Sequence, residues 1–463
     1  MQTNRQVNEN PLGFEPIGKL LMKFALPSVV SMVVNAIYNI VDQIFIGQGV
    51  GFLGNAATTI AFPIVTIILA ISTLLGAGGS AFAALKMGEG DEEQAEHALG
   101  NAFSFGVLAS LILAVCGLLF LDPLVKLFGA SENTIGYAKQ YTAFILPATP
   151  FNLLSVVLSN FARTDGKPLL SMTSMLVGAG LNIFLDALFI FGFHWGVAGA
   201  AFATALSQVV SAVILLYYFL RKSNLRLTKK SLKLSDAICR QIFVLGISSC
   251  VLQLASTLLN IILNNVLVHY GNQSPVGGDI ALSAMGIVMK ISMIVVSICV
   301  GIGVGSQPIL GFNRGAKQPR RVKKTYLTAL LYSVSFTVLG WILIETIPEY
   351  ILLLFGKENE TFTNFGVHCM RICNAGLFVA GMQVVTTNYF QATGQPLKAN
   401  FFSLLRQILL LVPLLLIFPL FWGLEGVLYA FLAADIGTGI VVLCFVLAEL
   451  KKLNRWIAET EAK

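Results

Sequence analysis

The sequence has few charged residues. Of its 463 residues only 11% are Asp, Glu, Lys or Arg, whereas 56% are hydrophobic and the mean hydropathy is +0.80. A soluble domain carries about 25% charged residues, so this composition excludes an ordinary soluble fold. Apolar runs of about the 20 residues needed to cross a bilayer core recur along the chain, whereas the short alternating segments of a membrane β-barrel are missing. We therefore predict an all-α integral membrane protein.

The sequence also lacks the motifs that carry most enzyme chemistry. It has only four histidines, its seven cysteines form no CxxC, and no HExxH, GxSxG or phosphate-binding GxxxxGK[ST] occurs. We therefore predict that the chain is not an enzyme and needs no cofactor. Because no nucleotide-binding loop is present, the energy for any active process would come from an ion gradient. The net charge of +7 invites a nucleic-acid partner, but the basic residues lie in loops between apolar segments, so we expect none.

The apolar segments divide into twelve predicted spans, which are numbered in chain order. They are expected at about 18–47, 55–85, 98–121, 138–160, 169–193, 198–220, 240–268, 281–311, 325–346, 365–390, 399–421 and 426–449.

The basic residues are distributed unevenly between the two sides of the membrane. Of the 30 Lys and Arg, 24 lie on the side that holds both termini, three (Lys126, Lys139, Lys357) on the opposite side and three within spans. Cytoplasmic loops carry the excess of positive charge, so both termini are predicted in the cytoplasm of a bacterial inner or plasma membrane.

The two halves of the chain resemble each other. We therefore predict an N-terminal half over 1–220, a basic linker over 221–239 and a C-terminal half over 240–463. Because each half has six spans, the halves would be parallel repeats, as in alternating-access transporters. The corresponding stretches are FARTDGKPLLSM (161–172) with FQATGQPLKANF (390–401), GVAGAAFA (196–203) with GLEGVLYA (423–430), and GAGGSAFAALKMGEG (76–90) with GVGSQPILGFNRGAK (303–317).

Two acidic residues lie inside spans of the N-terminal half. Asp42 in span 1 and Asp186 in span 5 are each about 8–9 Å from the non-cytoplasmic end of their helices, with Asn182 one turn from Asp186. Charges inside a membrane are costly and are functional candidates. A low dielectric and a second carboxylate both favour the protonated form of a carboxyl group, so the pair could exchange a proton. Its oxygens, with Asn182, could instead bind Na⁺. A purely structural, hydrogen-bonded pair is the alternative.

Polar and aromatic residues near these acids predict a substrate cavity within the N-terminal half. Helical spacing places three of them on the Asp42 face of span 1, and Gly178 on the Asp186 face of span 5 would allow a close approach. Pro27, inside span 1, would act as a hinge because proline removes a helix hydrogen bond. The predicted cavity residues are Asn35, Tyr38, Asn39, Phe62, Phe151, Asn152, Ser155, Met175 and Gly178.

The C-terminal half has no acid at the positions that correspond to Asp42 and Asp186. Lys290 in span 8 would either repel a cationic ligand or donate structural hydrogen bonds. Arg371 and Arg406 are near enough to span ends for their charged groups to reach the interface. Arg406 could instead pair with Asp435 on the neighbouring antiparallel helix, in which case we interpret the pair as structural.

These stretches together resemble the multidrug and toxic compound extrusion (MATE) transporters. The matching residues are FALPSVV and VDQIFIG in span 1, GAGGSAFAALKMGEGD, FARTDGKP, and LNIFLDALFIFGFHWGVAGAAFAT across spans 5 and 6. The pattern looks most like the MepA-like branch of bacterial multidrug exporters.

The resemblance implies a V-shaped pair of six-helix bundles around a central cavity, and antiport of H⁺ or Na⁺ against organic cations. It carries the ion-coupling role onto Asp42, Asp186 and Asn182. The acids that another branch has in spans 7 and 10 are missing here, where Gln253, Ser256, Arg371 and Gln383 stand instead. A cation site in the C-terminal half is therefore not expected.

The sequence leaves the coupling ion and the natural substrate open. The leading hypothesis is a secondary active multidrug efflux transporter for cationic or amphiphilic drugs, acting as a monomer in the lipid bilayer. A flippase for lipid-linked or polysaccharide precursors is the alternative, and it would need several cations in the cavity. A passive channel is a third class.

Overall fold

The computed structural model describes residues 10–128, 132–353 and 360–462, and within these ranges every regular element is a helix. The all-α fold class is confirmed. Arg5, Lys357 and Lys463, which were counted in the charge distribution, lie outside the described residues.

The first nine predicted spans each correspond to one long helix. Most of these helices extend beyond the predicted span, because a helix continues into the aqueous phase where hydropathy no longer marks it. Span 5 continues beyond Asp186 as a π-helix, Ala187–Gly192. The nine helices are Ile17–Val50, Phe52–Glu89, Glu92–Leu119, Ile135–Thr164, Pro168–Asp186, Gly196–Arg221, Asp236–Asn272, Gly278–Gly315 and Pro319–Thr346.

The last three spans are interrupted helices. Span 10 consists of Glu360–Asn374 and Leu377–Ala392, which meet at a bend of 43°. Spans 11 and 12 form a continuous helical stretch of 66 residues, with a π-helical turn at Leu405–Leu411. A straight helix of that length would be about three times as long as a bilayer core is thick. Gly423 (φ 55°, ψ −135°) breaks the stretch and separates the two spans, so the described residues contain the predicted twelve.

Three short helices complete the described structure: Pro11–Phe14 before span 1, Leu121–Leu127 after span 3 and Pro348–Leu353 after span 9.

The internal duplication is visible in the backbone of the connecting loops. Gly166 (φ 78°) and Gly394 (φ 75°) occupy matching positions before spans 5 and 11, and Gly196 (φ 59°) matches Gly423 before spans 6 and 12. Glycine adopts such left-handed conformations at little cost, so the two halves turn in the same way. The third motif pair matches Gly90 (φ 84°) with a non-glycine residue, Lys317 (φ 55°).

The hydrophobic cores show where the two halves join. We call the end of the molecule that carries the linker the basic end, and the opposite one the far end. At the far end each half has a separate core, one containing Ile46 and Ile60 and the other Leu263 and Leu428. At the basic end the cores are shared, because residues before and within span 1 pack with spans 8 to 12, and the start of span 7 packs with spans 2 to 6. The halves therefore meet at the basic end and separate towards the far end.

Glycines make the contact at the basic end close. An added Cβ at Gly301 in span 8 would lie 2.6 Å from the main-chain nitrogen of Val29 in span 1. At Gly78 in span 2 it would lie 2.8 Å from the Cα of Gly246 in span 7. We call these span 1–span 8 and span 2–span 7 contacts the seam. Because main chain faces main chain, the seam leaves no room for larger side chains.

Beyond the seam, spans 2 and 7 part to leave a crevice of about 240 Å³ towards the far end. Its walls are Pro63, Thr66 and Ile67 on one side and Leu254, Thr257, Leu258 and Ile261 on the other. The structure is therefore closed at the basic end and open towards the far end.

The basic linker is held against the N-terminal half. Asp165 accepts hydrogen bonds from the Tyr218 hydroxyl at 2.5 Å and the Ser223 hydroxyl at 2.8 Å, and from two linker main-chain N–H groups. Asn101 in span 3 accepts a bond from the Ser235 N–H at 2.6 Å. Arg163, counted among the loop cations, is 4% exposed and bonds to neighbouring side chains, so it contributes little to the surface charge.

Candidate functional site

The structure brings Asp42 and Asp186 together. Spans 1 and 5 pack against each other, and the two carboxyl groups lie close enough to interact electrostatically. Asp186 is fully buried, and Asp42 is half-buried. Two carboxylates this close repel each other, so the arrangement favours a proton or a cation between them.

The oxygens of this pair have no donors. Both Asp186 oxygens, Asp42 Oδ1 and Asn182 Oδ1 are buried without a hydrogen-bond partner among the described residues. The Asn182 amide donates to the Thr204 hydroxyl of span 6 at 3.3 Å. That bond occupies the amide nitrogen, and the oxygen remains free to bind a positive group. Buried polar atoms are nearly always paired, so four unpaired acceptors on two packed helices fit a site for H⁺ or for Na⁺, which prefers oxygen ligands.

Two tyrosines adjoin the acidic pair. Tyr38, one turn before Asp42, and Tyr141 in span 4 both lie close enough to interact electrostatically with the carboxyl groups of Asp42 and Asp186. Tyr141 is only 8% exposed. The sequence analysis included Tyr38 but missed Tyr141 and Thr204. Their depth could have indicated them, because each lies about 9–12 Å from the far end of its helix, level with the acids.

The other predicted cavity residues divide into two groups. The residues of the first group contact other parts of the protein. Asn39 Nδ2 donates to the Asn35 carbonyl at 2.6 Å, and Ser155 donates to the Asn152 carbonyl at 2.8 Å and to Gln208 at 3.0 Å. Gly178 packs against span 6, where a Cβ would collide with the Ser211 hydroxyl. The second group has accessible surface: Phe62 (51% exposed), Phe151 (38% exposed) and the half-buried Met175. The substrate-binding role of both groups stays a prediction.

Pro27 lies at the level of the seam. It is buried, and its neighbours Ala25 and Val29 are the residues that Gly305 and Gly301 of span 8 approach. The helix Ile17–Val50 runs through Pro27 without a break. The predicted hinge therefore lies within the part of span 1 that closes the basic end, on the same helix as Asp42.

The ionisable residues of the C-terminal half are arranged differently. Arg406 Nε donates to Asp435 Oδ1 at 2.5 Å, and Asp435 is 2% exposed, so Arg406 forms the pair with Asp435 and does not extend to the interface. Lys290 is exposed on span 8. It lies three helical turns from Gly301, on the face that meets span 1 at the seam, so it faces the other half across the cleft. Arg371 is exposed in the first part of span 10.

Known proteins resemble this chain over nearly its whole length. The family model described as MatE matches residues 27–188 and 248–417. "Multidrug export protein MepA" of Staphylococcus aureus (strain N315) is 28% identical over 426 residues, which cover 91% of each chain. Two solved structures share the fold at 23% identity, each with a TM-score of 0.89. One is described as the outward-facing conformation of a multidrug resistance MATE family transporter of the MOP superfamily (97% of this chain, 98% of that one), and the other as MATE in the straight conformation (96% and 98%).

Proposed function

The chain belongs to the MATE family, whose model covers most of its length, and from this premise we propose that it exports cationic amphiphilic drugs in exchange for H⁺ or Na⁺. It is a multi-pass transporter of a bacterial membrane. The name of the Staphylococcus relative, a multidrug export protein, supports the drug-export part of the proposal. The excess of Lys and Arg at the basic end supports a cytoplasmic position for that end.

The observation that carries the proposal is the unpartnered acidic pair. Two unit charges about 4 Å apart repel by about 4 kcal/mol at an effective dielectric of about 20. This repulsion favours the uptake of one positive ion by Asp42 and Asp186, and their three unpaired carboxyl oxygens, with Asn182 Oδ1, can surround it. Only an ion whose binding differs between two conformations can drive transport.

The position of Pro27 suggests how ion binding would reach the other end of the cleft. Asp42 and the seam residues Ala25 and Val29 are on the same helix, with Pro27 at the seam. An ion that enters from the far end pulls span 1 towards Asp186 in span 5. That movement bends span 1 at Pro27, displaces the drug from the N-terminal half and later loosens the contact with span 8. The cycle then opens the basic end to new substrate.

The flippase alternative is favoured by one observation, the position of Lys290 on the cleft-facing side of span 8. A pyrophosphate-bearing lipid would require more than one cation, and Arg406 is already neutralised by Asp435. If the protein is a flippase, it should bind a polyprenyl pyrophosphate, and this binding should weaken in Lys290→Gln. If it exports drugs, no such binding is expected.

The proposal is tested by ethidium efflux from energised cells that express Asp42→Asn, Asp186→Asn or the parent chain. Asp122→Asn is the matched control, because Asp122 lies on the surface and pairs with Lys139 at 2.6 Å. We expect efflux to fall at least tenfold in the first two variants and to be unchanged in the control. Parent-level efflux in both Asp42→Asn and Asp186→Asn would refute the proposal.

A further inference from the structure

A second cavity opens at the basic end, where both halves contribute to its walls and where the seam separates it from the crevice between spans 2 and 7. Its volume is about 530 Å³, and we call it the basic-end pocket. Its walls come from the last residues of spans 2 and 8 and from the helix that continues span 12 beyond the membrane. Because its walls combine span ends with a helix that leaves the membrane, the pocket extends from the depth of the lipid headgroups towards the aqueous phase.

Four cations line the basic-end pocket: Arg314, Lys317, Lys452 and Arg455. Within the described parts of the chain, none of them forms an ion pair. Two of the acids in the wall are already neutralised by lysines outside the pocket, Glu89 by Lys86 at 2.8 Å and Glu449 by Lys398 at 2.9 Å. Glu459 is the remaining acid of the lining, so the pocket has uncompensated positive charge.

An aromatic ring holds one of the cations in place. The guanidinium carbon of Arg314 lies 4.3 Å from the centre of the Trp456 ring. In this cation–π arrangement the plane of the guanidinium is covered, while the N–H groups on its edge remain able to donate. Among the described residues no hydrogen bond uses them, so they are available to an anion in the pocket.

The outer wall of the pocket is fixed to the rest of the protein. Arg320 pairs with Glu461, with its Nε donating at 2.6 Å, and Lys323 donates to Asn454 at 2.7 Å. These bonds hold the extension of span 12 against the start of span 9. A ligand therefore meets a preformed site and does not have to order it.

The backbone of Lys317 is a separate observation that favours a functional role for the pocket. Lys317 has a left-handed backbone conformation (φ 55°), and the matching position in the N-terminal half is a glycine, Gly90 (φ 84°). A non-glycine residue is strained in that conformation, and such strain occurs preferentially at functional sites. The conformation is compatible with a role for the ammonium group in the pocket that a glycine could not perform.

We propose that the basic-end pocket binds the phosphate of an anionic phospholipid headgroup, such as that of phosphatidylglycerol. Arginine and lysine donors fit phosphate oxygens, a tryptophan is suited to the membrane interface, and basic pockets at the cytoplasmic side of transporters are suited to such headgroups. This inference goes beyond the proposed transport function and does not depend on it.

The test uses the purified full-length protein in detergent, with thermal unfolding as the readout. Short-chain phosphatidylglycerol, short-chain phosphatidylcholine and inorganic phosphate are titrated separately. We expect a saturable rise of Tm with phosphatidylglycerol alone. Each basic residue near an anionic lipid contributes about fivefold in affinity, so Lys317→Gln with Lys452→Gln should weaken the apparent affinity by about 25-fold.

Lys229→Gln with Lys451→Gln is the matched control, because it removes the same charge from exposed lysines outside the pocket lining. We expect this control to bind as the parent does. Arg455→Gln serves as a single, exposed replacement should the double variant be unstable, with about a fivefold loss expected. Equal effects of the two lipids, an effect of inorganic phosphate alone, or parent-like binding by the pocket variants would each overturn the proposal. Because no transport is measured, these outcomes are separate from those of the efflux test.

Discussion

The seam predicts that a single methyl group can shift the conformational equilibrium. In Gly78→Ala the new Cβ would lie 2.7 Å from the main-chain nitrogen of Gly246 and 2.8 Å from its Cα. Real Cβ atoms essentially never come that close to such atoms. Because both partners are main-chain atoms, no side-chain rotation can relieve the contact. Spans 2 and 7 must therefore move apart at the basic end.

The size of the effect follows from the cost of overpacking. Inserting a methyl group into a packed contact costs about 1–3 kcal/mol. The cost applies only while the basic end is closed, since the two helices separate there in the opposite state. The equilibrium between the two states should therefore shift by about 5- to 150-fold towards the state open at the basic end.

Distances between spin labels at the far end would measure this shift. Labels at Gln48 and Gln273, both exposed at the ends of spans 1 and 7, report the opening of the far end. We expect Gly78→Ala to move the distribution towards shorter distances. Gly286→Ala is the matched control, because a Cβ there meets no atom within 4 Å. An unchanged distribution in Gly78→Ala would refute the reasoning about the seam.

Three further predictions concern stability and the linker. Arg406→Met leaves the buried Asp435 carboxylate unpaired and should lower the free energy of unfolding by about 3–5 kcal/mol, as measured by thermal unfolding. Adding Asp435→Leu to this variant should restore most of the lost stability. Additive losses in the double variant would contradict a coupled pair. Asp165→Ala removes the acceptor of three linker hydrogen bonds and of one from Tyr218 in span 6, so trypsin should cut within 221–235 faster, and an unchanged cleavage rate would count against this anchoring. Arg321→Gln weakens the bond to the Leu12 carbonyl (2.9 Å) and should lower stability by about 1–3 kcal/mol, while an unaltered Tm would show that the contact is dispensable.

The twelve spans could be predicted because lipid imposes a length and a polarity on each helix. The same criterion fails where a helix leaves the membrane. Span 12 was predicted to end near residue 449, yet its helix continues to Glu461, and the basic-end pocket depends on that extension. The repeat could be predicted from matching glycines, but only the backbone shows that Lys317 takes the conformation of Gly90.

The acidic residues of the candidate site could be predicted from the sequence, whereas their neighbours on other helices could not. Asp42 and Asp186 stand out because a carboxylate in an apolar helix is rare and costly. Tyr141 and Thr204 share the depth of the acids, but tyrosine and threonine are ordinary residues of membrane spans, so depth alone does not single them out and the packing of spans 4 and 6 is needed to show their position. The burial of Arg163 was missed for a related reason, because a loop arginine next to a span end looks like a surface charge.

Transport in proteoliposomes tests the central claim, that the acidic pair couples drug movement to an ion. Ethidium flux is measured with the parent chain and with Asp186→Asn, under an imposed pH gradient and, separately, an imposed Na⁺ gradient. The parent should respond to at least one gradient, and that response should disappear in Asp186→Asn. A parent flux that is indifferent to both gradients, or a gradient response retained in Asp186→Asn, would contradict the account.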